Sequence, residues 1–302
     1  MPVKNLALVL VAAAGLAIPG RSVDYQYGHV QKKVLGVSTE SLVQNKLSSA
    51  PEFANVALPP QLTATSAMAF DLDSGTILYT HNFDESVGIA SLTKLMTALV
   101  ASDMIKPQDI VTVQKSDTLV VGNNMGLVPG ERITVRDLEK GMLILSANDA
   151  AKTLARFSAG TEEKFIELMN QRAAKMGLGS SRFSNPVGLD SLENYSTAHD
   201  LSAIVKEFMK HSDLADIVKT KEATVYSLDY KTSHQLRTTN KLLLDNPDVF
   251  GIKTGYTSMA KGNLISYVVK DNARVVTIVL GSDNREDDAT KLIDWVFATY
   301  QW

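Results

Sequence analysis

The stretch IASLTKLMTA, residues 89–98, decides how the rest of this chain folds. Its apolar positions repeat with helical spacing and predict a helix that opens at Ala90 and runs to about Ser102. Ser91 and Lys94 stand three residues apart, and a helix brings side chains at this spacing onto one face. A serine hydroxyl needs a neighbouring base before it becomes an effective nucleophile. The stretch therefore predicts a catalytic Ser91 with Lys94 as its base.

A second motif, Ser146-Ala147-Asn148, follows a helical pattern over residues 135–145, and we expect it on the turn after that helix. Ser146 is a candidate proton relay between Lys94 and a leaving amine. Asn148 carries an amide that both donates and accepts hydrogen bonds, which suits it to orient Lys94 and a peptide carbonyl. Taken alone, the motif also fits an ordinary turn or helix cap.

A third motif, Lys253-Thr254-Gly255, lies in a β-like run. Lys253 carries a compact positive charge that suits a substrate carboxylate. Beside Lys94 it would also lower the pKa of that lysine, as a general base requires. Thr254 adds a hydroxyl donor, and Gly255 lets a substrate backbone approach closely. A peptide could therefore add to this strand as an extra strand.

Two of these motifs have near-copies elsewhere in the chain. Ser258 and Lys261 repeat the serine–lysine spacing, but they lie between β-like runs with no helix to align them. The copy Ser282-Asp283-Asn284 comes after the third motif, and we interpret it as a loop and helix N-cap. Order along the chain and structural setting therefore favour the three motifs described first.

The patterns around the motifs predict an α+β fold. Two strands are expected near residues 67–70 and 76–80, joined by an Asp-Ser-Gly turn. The remaining helical patterns cover 135–145, 161–176, 198–211 and 288–300, and the later β-like runs cover 223–230, 251–254, 264–269 and 274–280. This order predicts an antiparallel sheet flanked by helices, with a helical subdomain inserted after the first hairpin.

The N-terminus has the pattern of an export signal. A lysine precedes an apolar or glycine stretch over residues 6–18, and small residues allow cleavage after Ala17. We predict a signal peptide over residues 1–20, with an uncleaved N-terminal anchor as the alternative, a linker over residues 21–62 and a catalytic domain over residues 63–302. The protein is then expected to be exported and to act in the periplasm or another extracytoplasmic space.

Composition excludes several other classes of protein. The chain has 302 residues, 45% of them hydrophobic, which is enough to bury a substantial core. A net charge of -3 and the lack of a long basic run argue against nucleic acid as a partner. The sequence contains no cysteine, so disulfides, zinc–thiolate sites and cysteine nucleophiles are excluded.

The three motifs in this order resemble the D-alanyl-D-alanine carboxypeptidase family of low-molecular-mass penicillin-binding proteins. The segments NPVGL, residues 185–189, and YSTA, residues 195–198, also look like family segments. The resemblance extends over roughly residues 62–302. It implies a fold similar to that of the β-lactamases and transpeptidases.

The resemblance also implies a reaction. Ser91 would attack the carbonyl of the penultimate D-Ala in a peptidoglycan stem peptide that ends in D-Ala-D-Ala, and backbone N–H groups of Ser91 and Tyr256 would hold the oxyanion. Lys253 and Thr254 would bind the terminal carboxylate. β-Lactam antibiotics would acylate Ser91 as covalent inhibitors. The reaction needs no metal or organic cofactor.

One alternative is a D,D-endopeptidase that cuts peptidoglycan cross-links. The chain ends at Trp302, soon after the predicted closing helix, whereas larger members of the family continue into a β-rich domain and an amphipathic membrane anchor. Membrane attachment, where the signal stays uncleaved, would therefore rest on the N-terminus only, and a catalytic domain of this size also resembles the small endopeptidases. Residues 259–262 depart from the short Ala-Gly step that the family usually shows there, and we expect them to alter the wall of the site.

Three further alternatives share part of this pattern. A β-lactamase would need a deacylating glutamate in an E-x-x-L-N loop, but Glu193 is followed by Asn-Tyr-Ser. A penicillin-binding sensor without turnover would use the same motifs. A Ser-His-Asp hydrolase is disfavoured, because His199 and Asp200 are adjacent on a predicted helix and no G-x-S-x-G motif is present.

Overall fold

The computed structural model of the protein describes residues 50–302. The predicted signal peptide or anchor over residues 1–20, and most of the predicted linker, lie outside the described residues. Within residues 50–302, no helix combines the length and the apolar character that a membrane span requires.

The elements are numbered along the described chain. The strands are β1 (Glu52–Phe53), β2 (Ser66–Asp71), β3 (Ile77–His81), β4 (Val87–Gly88), β5 (Ile110–Thr112), β6 (Arg132–Thr134), β7 (Tyr195–Ser196), β8 (Glu222–Tyr226), β9 (Ser233–Arg237), β10 (Val249–Thr257), β11 (Lys261–Lys270), β12 (Ala273–Ser282) and β13 (Tyr300–Gln301). The α-helices are α1 (Thr93–Met104), α2 (Val135–Ile144), α3 (Asn148–Ala159), α4 (Glu162–Lys175), α5 (Ala198–Phe208), α6 (Ser212–Val218), α7 (Lys241–Asp245) and α8 (Arg285–Thr299). Short 3₁₀ helices cover Ala90–Leu92 and Lys115–Thr118.

Five antiparallel strands form the central sheet in the spatial order β10-β11-β12-β2-β3. The chain enters the sheet through the β2–β3 hairpin, leaves it for the helical middle and returns for three consecutive strands. Register pairs Phe70 of β2 with Val276 of β12, and Lys253 of β10 with Ile265 of β11. Strand β10 lies at one edge of the sheet, so its outer side can accept a further extended segment.

Both faces of the sheet are covered by helices. Along β2, Met68 and Phe70 pack into a cluster with residues of the helical middle, while Ala67 and Ala69 pack into a second cluster with α8. All four residues are buried, and their alternation follows the two-residue period of a strand. The helical middle therefore covers one face of the sheet, and α8 covers the other.

Side-chain caps start several of these helices. Thr134, Thr161 and Thr197 each accept a hydrogen bond from the backbone N–H three residues later, at the N-termini of α2, α4 and α5. Asn284 caps α8 in the same way. These caps satisfy backbone donors that the first turn of a helix leaves free. The prediction of Asn284 as an N-cap is confirmed.

The predicted α+β layout with a helical insertion is confirmed, including the first hairpin and the helices over the middle and end of the chain. One predicted strand is too long, because the run over residues 223–230 ends as β8 at Tyr226. Asp229 accepts hydrogen bonds from Ser227 Oγ and from the Lys231 N–H, which turns the chain back into β9. Helix α3, which begins directly at the second motif, was not predicted as a separate helix.

The last part of the predicted linker lies against the domain that follows it. Glu52 pairs with Gln301 across β1 and β13. Trp295 Nε1 on α8 donates a hydrogen bond to the carbonyl oxygen of Ala57 at 3.2 Å. The boundary at residue 62 remains a prediction, but contact with the domain begins about ten residues earlier, at Glu52.

Candidate active site

Ser91 lies in the 3₁₀ helix Ala90–Leu92, which leads directly into α1. The α-helix predicted to open at Ala90 instead begins at Thr93, because Ala90 has a φ of 47° in the left-handed region. Ser91 and Lys94 still lie on the same side of the chain, because residues i and i+3 also align in a 3₁₀ helix. Lys94 Nζ lies 2.9 Å from Ser91 Oγ.

The NPVGL segment, residues 185–189, packs against the backbone of the 3₁₀ helix that carries Ser91. A Cβ on Gly188, whose φ is 86°, would lie 2.0 Å from the carbonyl oxygen of Ala90. Only glycine therefore lets the two backbones meet. Asn185 Oδ1 accepts hydrogen bonds from three successive backbone N–H groups and fixes the loop. The Val187 carbonyl oxygen then accepts a hydrogen bond from Lys94 Nζ at 2.6 Å.

Lys94 is fully buried, with hydrogen-bond partners that suit a neutral amine. Burial lowers the pKa of Lys94 well below its usual value, and the nearby charge of Lys253 lowers it further. A neutral amine keeps two N–H donors for the oxygens of Asn148 and Val187 and presents its lone pair to Ser91. Lys94 can therefore accept the proton of the Ser91 hydroxyl.

Ser146 and Lys253 form a second serine–lysine pair beside the first. Lys253 Nζ donates hydrogen bonds to Ser146 Oγ at 2.8 Å and to the carbonyl oxygen of Thr254 at 2.9 Å. Burial, followed by the charge of Arg285, lowers the pKa of Lys253 to about 7. Its cationic and neutral forms therefore interconvert near neutral pH, so Lys253 can share a proton with Ser146.

Asn148, at the first position of α3, joins the second motif to the first. Its Oδ1 accepts a hydrogen bond from Lys94 Nζ at 2.7 Å. Its amide nitrogen donates to the carbonyl oxygen of Val121 at 2.6 Å. These contacts fix which side of the amide faces Lys94, so Asn148 orients the base.

Strand β10 approaches the nucleophile closely at Gly255. A Cβ on Gly255 would lie 2.9 Å from the carbonyl oxygen of Ile89 and 3.0 Å from the backbone nitrogen of Ser91. Glycine thus brings the strand to the 3₁₀ helix without a clash. The next residue, Tyr256, is 70% exposed, so the third motif ends beside the nucleophile at the surface of the site.

Arg285 is a site residue that the sequence interpretation missed. Its Nη1 donates a hydrogen bond to the carbonyl oxygen of Gly255 at 2.8 Å, and its side chain lines the catalytic cavity. Arg285 is the first residue of α8, where a cation opposes the helix dipole and acidic residues are preferred. An arginine at the start of a helix was therefore the one feature of the sequence that could have indicated Arg285, since no motif includes it.

The catalytic groups open into a cavity of about 350 Å³. The predicted site residues that line it are Ser91, Ser146, Asn148, Thr254, Gly255 and Tyr256. Lys94 and Lys253 are buried and do not line the cavity. Arg285 thus presents a cation at the cavity surface, whereas the hydrogen bonds of Lys253 are internal.

A second cavity of about 440 Å³ lies beside the first and shares Gly188 and Leu189 with it. Met259 and Ala260 line this second cavity and not the catalytic one. The expected change in the wall at residues 259–262 therefore falls in the neighbouring cavity. The two cavities therefore adjoin at Gly188 and Leu189, with Arg285 lining the first and Met259 the second.

The near-copies and the alternative catalytic residues lie elsewhere. Ser258 is exposed in the turn between β10 and β11, and Lys261 pairs with Asp283 at the surface. Glu193 forms an exposed ion pair with Arg182 and lines neither cavity. His199 pairs with Asp84 at the surface, and neither residue lines either cavity.

A sequence model of the family described as D-alanyl-D-alanine carboxypeptidase matches residues 53–284. The chain is 35% identical over 246 residues to the D-alanyl-D-alanine carboxypeptidase DacF of Bacillus subtilis, covering 79% of this chain and 63% of DacF. It is also 35% identical over 253 residues to DacD of Escherichia coli, covering 78% of this chain and 64% of DacD. The chain thus spans a little under two thirds of the length of these relatives.

Solved structures share the fold. The Streptomyces K15 DD-transpeptidase superposes with a TM-score of 0.76 at 31% identity, covering 80% of this chain and 100% of that one. A D-alanyl-D-alanine carboxypeptidase from Mycobacterium tuberculosis H37Rv gives a TM-score of 0.76 at 31% identity, covering 82% of this chain and 96% of that one. The predicted transpeptidase-like fold is therefore confirmed.

Proposed function

Because the chain belongs to the D-alanyl-D-alanine carboxypeptidase family, we propose that it removes the terminal D-Ala from peptidoglycan stem peptides through an acyl-enzyme at Ser91. The observation that carries this proposal is the contact of 2.9 Å between Ser91 Oγ and the fully buried Lys94 Nζ. A buried amine beside a second lysine is the form of lysine that can act as a base at neutral pH.

In the acylation step, Ser91 Oγ attacks the carbonyl carbon of the penultimate D-Ala while its proton passes to Lys94. The backbone N–H groups of Ser91 and Tyr256 would stabilise the oxyanion of the tetrahedral intermediate. The C–N bond then breaks, and Ser146 would pass a proton to the departing amine of the terminal D-Ala. Lys253, hydrogen-bonded to Ser146, would replace that proton.

In the deacylation step, water attacks the ester carbonyl of the acyl-enzyme. The proton that Lys94 took from Ser91 would first pass through Ser146 to Lys253, which leaves Lys94 neutral. Lys94 would then accept a proton from the water and pass it to Ser91 Oγ as the Ser91–acyl bond breaks and the shortened peptide is released. A β-lactam would enter by the same first step, because its strained amide occupies the position of the D-Ala-D-Ala bond. Its covalent adduct would likewise form on Ser91.

The two adjoining cavities suggest how a stem peptide would be oriented in the site. The terminal carboxylate would lie at Arg285 and Thr254, and Thr254 Oγ1 is itself 2.6 Å from Thr239 Oγ1. The substrate backbone would pair with the outer edge of β10, past Gly255. The upstream part of the stem peptide would then extend into the neighbouring cavity, toward Met259.

Arg285→Gln is expected to lower kcat/KM for a substrate with a free D-Ala-D-Ala carboxylate by about 10- to 100-fold, since a hydrogen bond to a charged group contributes about 1.5–3 kcal/mol. The amidated form of the same peptide should lose much less. Steady-state release of the terminal residue from both peptides measures this difference.

Lys291→Gln is the matched control for Arg285→Gln, because Lys291 lies on the same helix and pairs with Asp287 at the surface. It should leave both rates unchanged. Equal losses on the free and amidated peptides in the Arg285 variant would exclude a carboxylate role for this residue.

Digestion of purified muropeptides with a mass readout tests the proposed activity as a whole. Loss of one terminal alanine from monomeric pentapeptides is the expected product. Conversion of cross-linked dimers to monomers, with pentapeptides left intact, would show an endopeptidase instead. Acylation by penicillin without any product from either substrate would show a binding protein without turnover.

The proposed substrate also supports a location for the protein. A peptidoglycan substrate would require the active domain outside the cytoplasm, which agrees with the export signal predicted over residues 1–20. We propose that this N-terminal segment directs export, with membrane attachment through the same segment where it stays uncleaved.

A further inference from the structure

A histidine–carboxylate pair is buried outside the catalytic motifs. His234 lies on β9, and Glu131 directly precedes β6. His234 Nε2 is 2.7 Å from Glu131 Oε1, and each side chain is only 2% exposed. On the other side of the ring, His234 Nδ1 is 2.9 Å from the carbonyl oxygen of Met125. Both ring nitrogens therefore face oxygen atoms inside the protein.

These contacts determine the charge of the ring. A carbonyl oxygen and a carboxylate only accept hydrogen bonds, so both contacts are hydrogen bonds only when both ring nitrogens carry protons. The hydrogen bond to Glu131 raises the pKa of His234, and the charges of Glu131 and Asp149 raise it further against the effect of burial. His234 and Glu131 thus form an ion pair. Glu131 and Asp149 are the charged groups that face the ring among the described residues.

The pair holds residues 121–131, which we call the wall segment. His234 binds it at Met125, and Glu131 Oε2 accepts a hydrogen bond from the Val128 N–H at 3.0 Å. Asp149 binds it from the opposite side, accepting hydrogen bonds from the N–H groups of Met125, Gly126 and Leu127. Two buried anionic groups and one buried cation therefore fix the backbone of this segment.

The wall segment reaches the catalytic site at its other end. Gly122 and Asn123 line the catalytic cavity. The carbonyl oxygens of Val121 and Asn123 accept hydrogen bonds from the side chain and the backbone N–H of Asn148, each at 2.6 Å. Asn148 in turn binds Lys94. The position of the wall segment thus affects how Asn148 presents its oxygen to the base.

We propose that the His234–Glu131 ion pair positions the wall segment and, through it, Asn148 and Lys94 for acyl transfer. Neither residue of the pair lines the catalytic cavity, so both act as positioning residues. The effect on acyl transfer rests on the proposed function, whereas the hold on the wall segment does not. Because the pair needs the protonated ring, the hold weakens as pH rises through the raised pKa of His234.

Glu131→Gln separates the charge of the pair from its hydrogen bonds. The glutamine amide can donate to a neutral His234 Nε2, while His234 Nδ1 still donates to the Met125 carbonyl oxygen and the glutamine oxygen still accepts from Val128. The hydrogen bonds that hold the wall segment should then no longer require a proton on both ring nitrogens of His234. His234→Ala removes the hydrogen bond to the Met125 carbonyl oxygen at every pH and leaves the wall segment with the contacts of Glu131 and Asp149.

Amide hydrogen exchange over the wall segment, measured from pH 6 to 9 and expressed as protection factors, tests the hold directly. In the unchanged protein, protection of Met125, Gly126 and Leu127 should fall at alkaline pH. In Glu131→Gln it should stay level over the same range, and in His234→Ala it should be below that of the unchanged protein at every pH. Identical profiles in the unchanged protein and Glu131→Gln would overturn the proposal, as would full protection in His234→Ala.

The rate of Ser91 acylation by a fluorescent penicillin supplies the functional readout at pH 7. His234→Ala should slow acylation by about tenfold or more, the loss expected when a buried hydrogen bond to a charged group is removed, while Glu131→Gln should stay near the unchanged rate. His199→Gln is the matched control, because His199 also pairs with a carboxylate but at the surface. An unchanged rate in His234→Ala would overturn the positioning role. Failure of the unchanged protein to release D-Ala would count against the proposed function alone.

Discussion

Ser91→Ala should abolish two activities together, the release of D-Ala and covalent labelling by penicillin. Removal of a catalytic serine costs about 10⁴- to 10⁶-fold in kcat when the rest of the site stays intact. The substitution deletes one oxygen from a half-buried position, so the fold should be unaffected. Release of D-Ala from a pentapeptide and gel fluorescence with a labelled penicillin measure the two activities.

Ser258→Ala is the control for this prediction, because Ser258 repeats the serine–lysine spacing in an exposed turn. Both activities should remain at the level of the unchanged protein. Persistent labelling of Ser91→Ala would mean that another residue is the nucleophile, and the assignment of the site would be wrong.

Lys94→Arg should slow acylation of Ser91 by about 10²- to 10⁴-fold, the usual contribution of a general base. Arginine keeps N–H donors for the oxygens of Asn148 and Val187, but it stays protonated at every accessible pH and cannot accept the serine proton. The rate should therefore stay low as pH rises. Stopped-flow acylation by a chromogenic β-lactam, with thermal unfolding to verify the fold, measures the effect.

Lys261→Arg provides the matched control, since Lys261 pairs with Asp283 at the surface. It should acylate at the unchanged rate. A Lys94→Arg variant that keeps more than a tenth of the acylation rate, or regains it at alkaline pH, would show that Lys94 is not the base.

The sequence was most informative where function depends on short spacing. Ser91 and Lys94 lie within one helical turn, so their contact follows from local geometry alone. The position of Ser146 directly after α2 also follows from the helical pattern before it. Contact between Lys253 and Ser146, however, depends on the approach of β10, and only the order of the motifs indicated it.

Contacts that depend on tertiary packing alone could not be predicted from the sequence. Arg285 reaches the site because α8 begins beside Gly262 of β11, and its side chain binds the carbonyl of Gly255, 30 residues away along the chain. His234 and Glu131 are 103 residues apart. In β9, His234 and Leu236 are buried and alternate with exposed residues. Because histidine is not counted as apolar, the sequence pattern showed only one apolar position and did not predict this strand.

The different positions of Lys253 and Arg285 in the site also could not be predicted from the sequence. From sequence, Lys253 was the expected contact for the substrate carboxylate. Its burial and its hydrogen bond to Ser146 indicate a role in proton transfer, whereas Arg285 offers a charge in the cavity itself. Two cations with different exposure can thus serve two steps of one reaction.

Peptide mapping of the penicillin adduct is the most direct test of the acyl-transfer site. The protein is incubated with benzylpenicillin, digested, and examined by tandem mass spectrometry for the modified residue. We predict a single penicilloyl group on the peptide that contains Ser91. An adduct on Ser146, Ser258 or another residue, with Ser91 unmodified, would contradict the account.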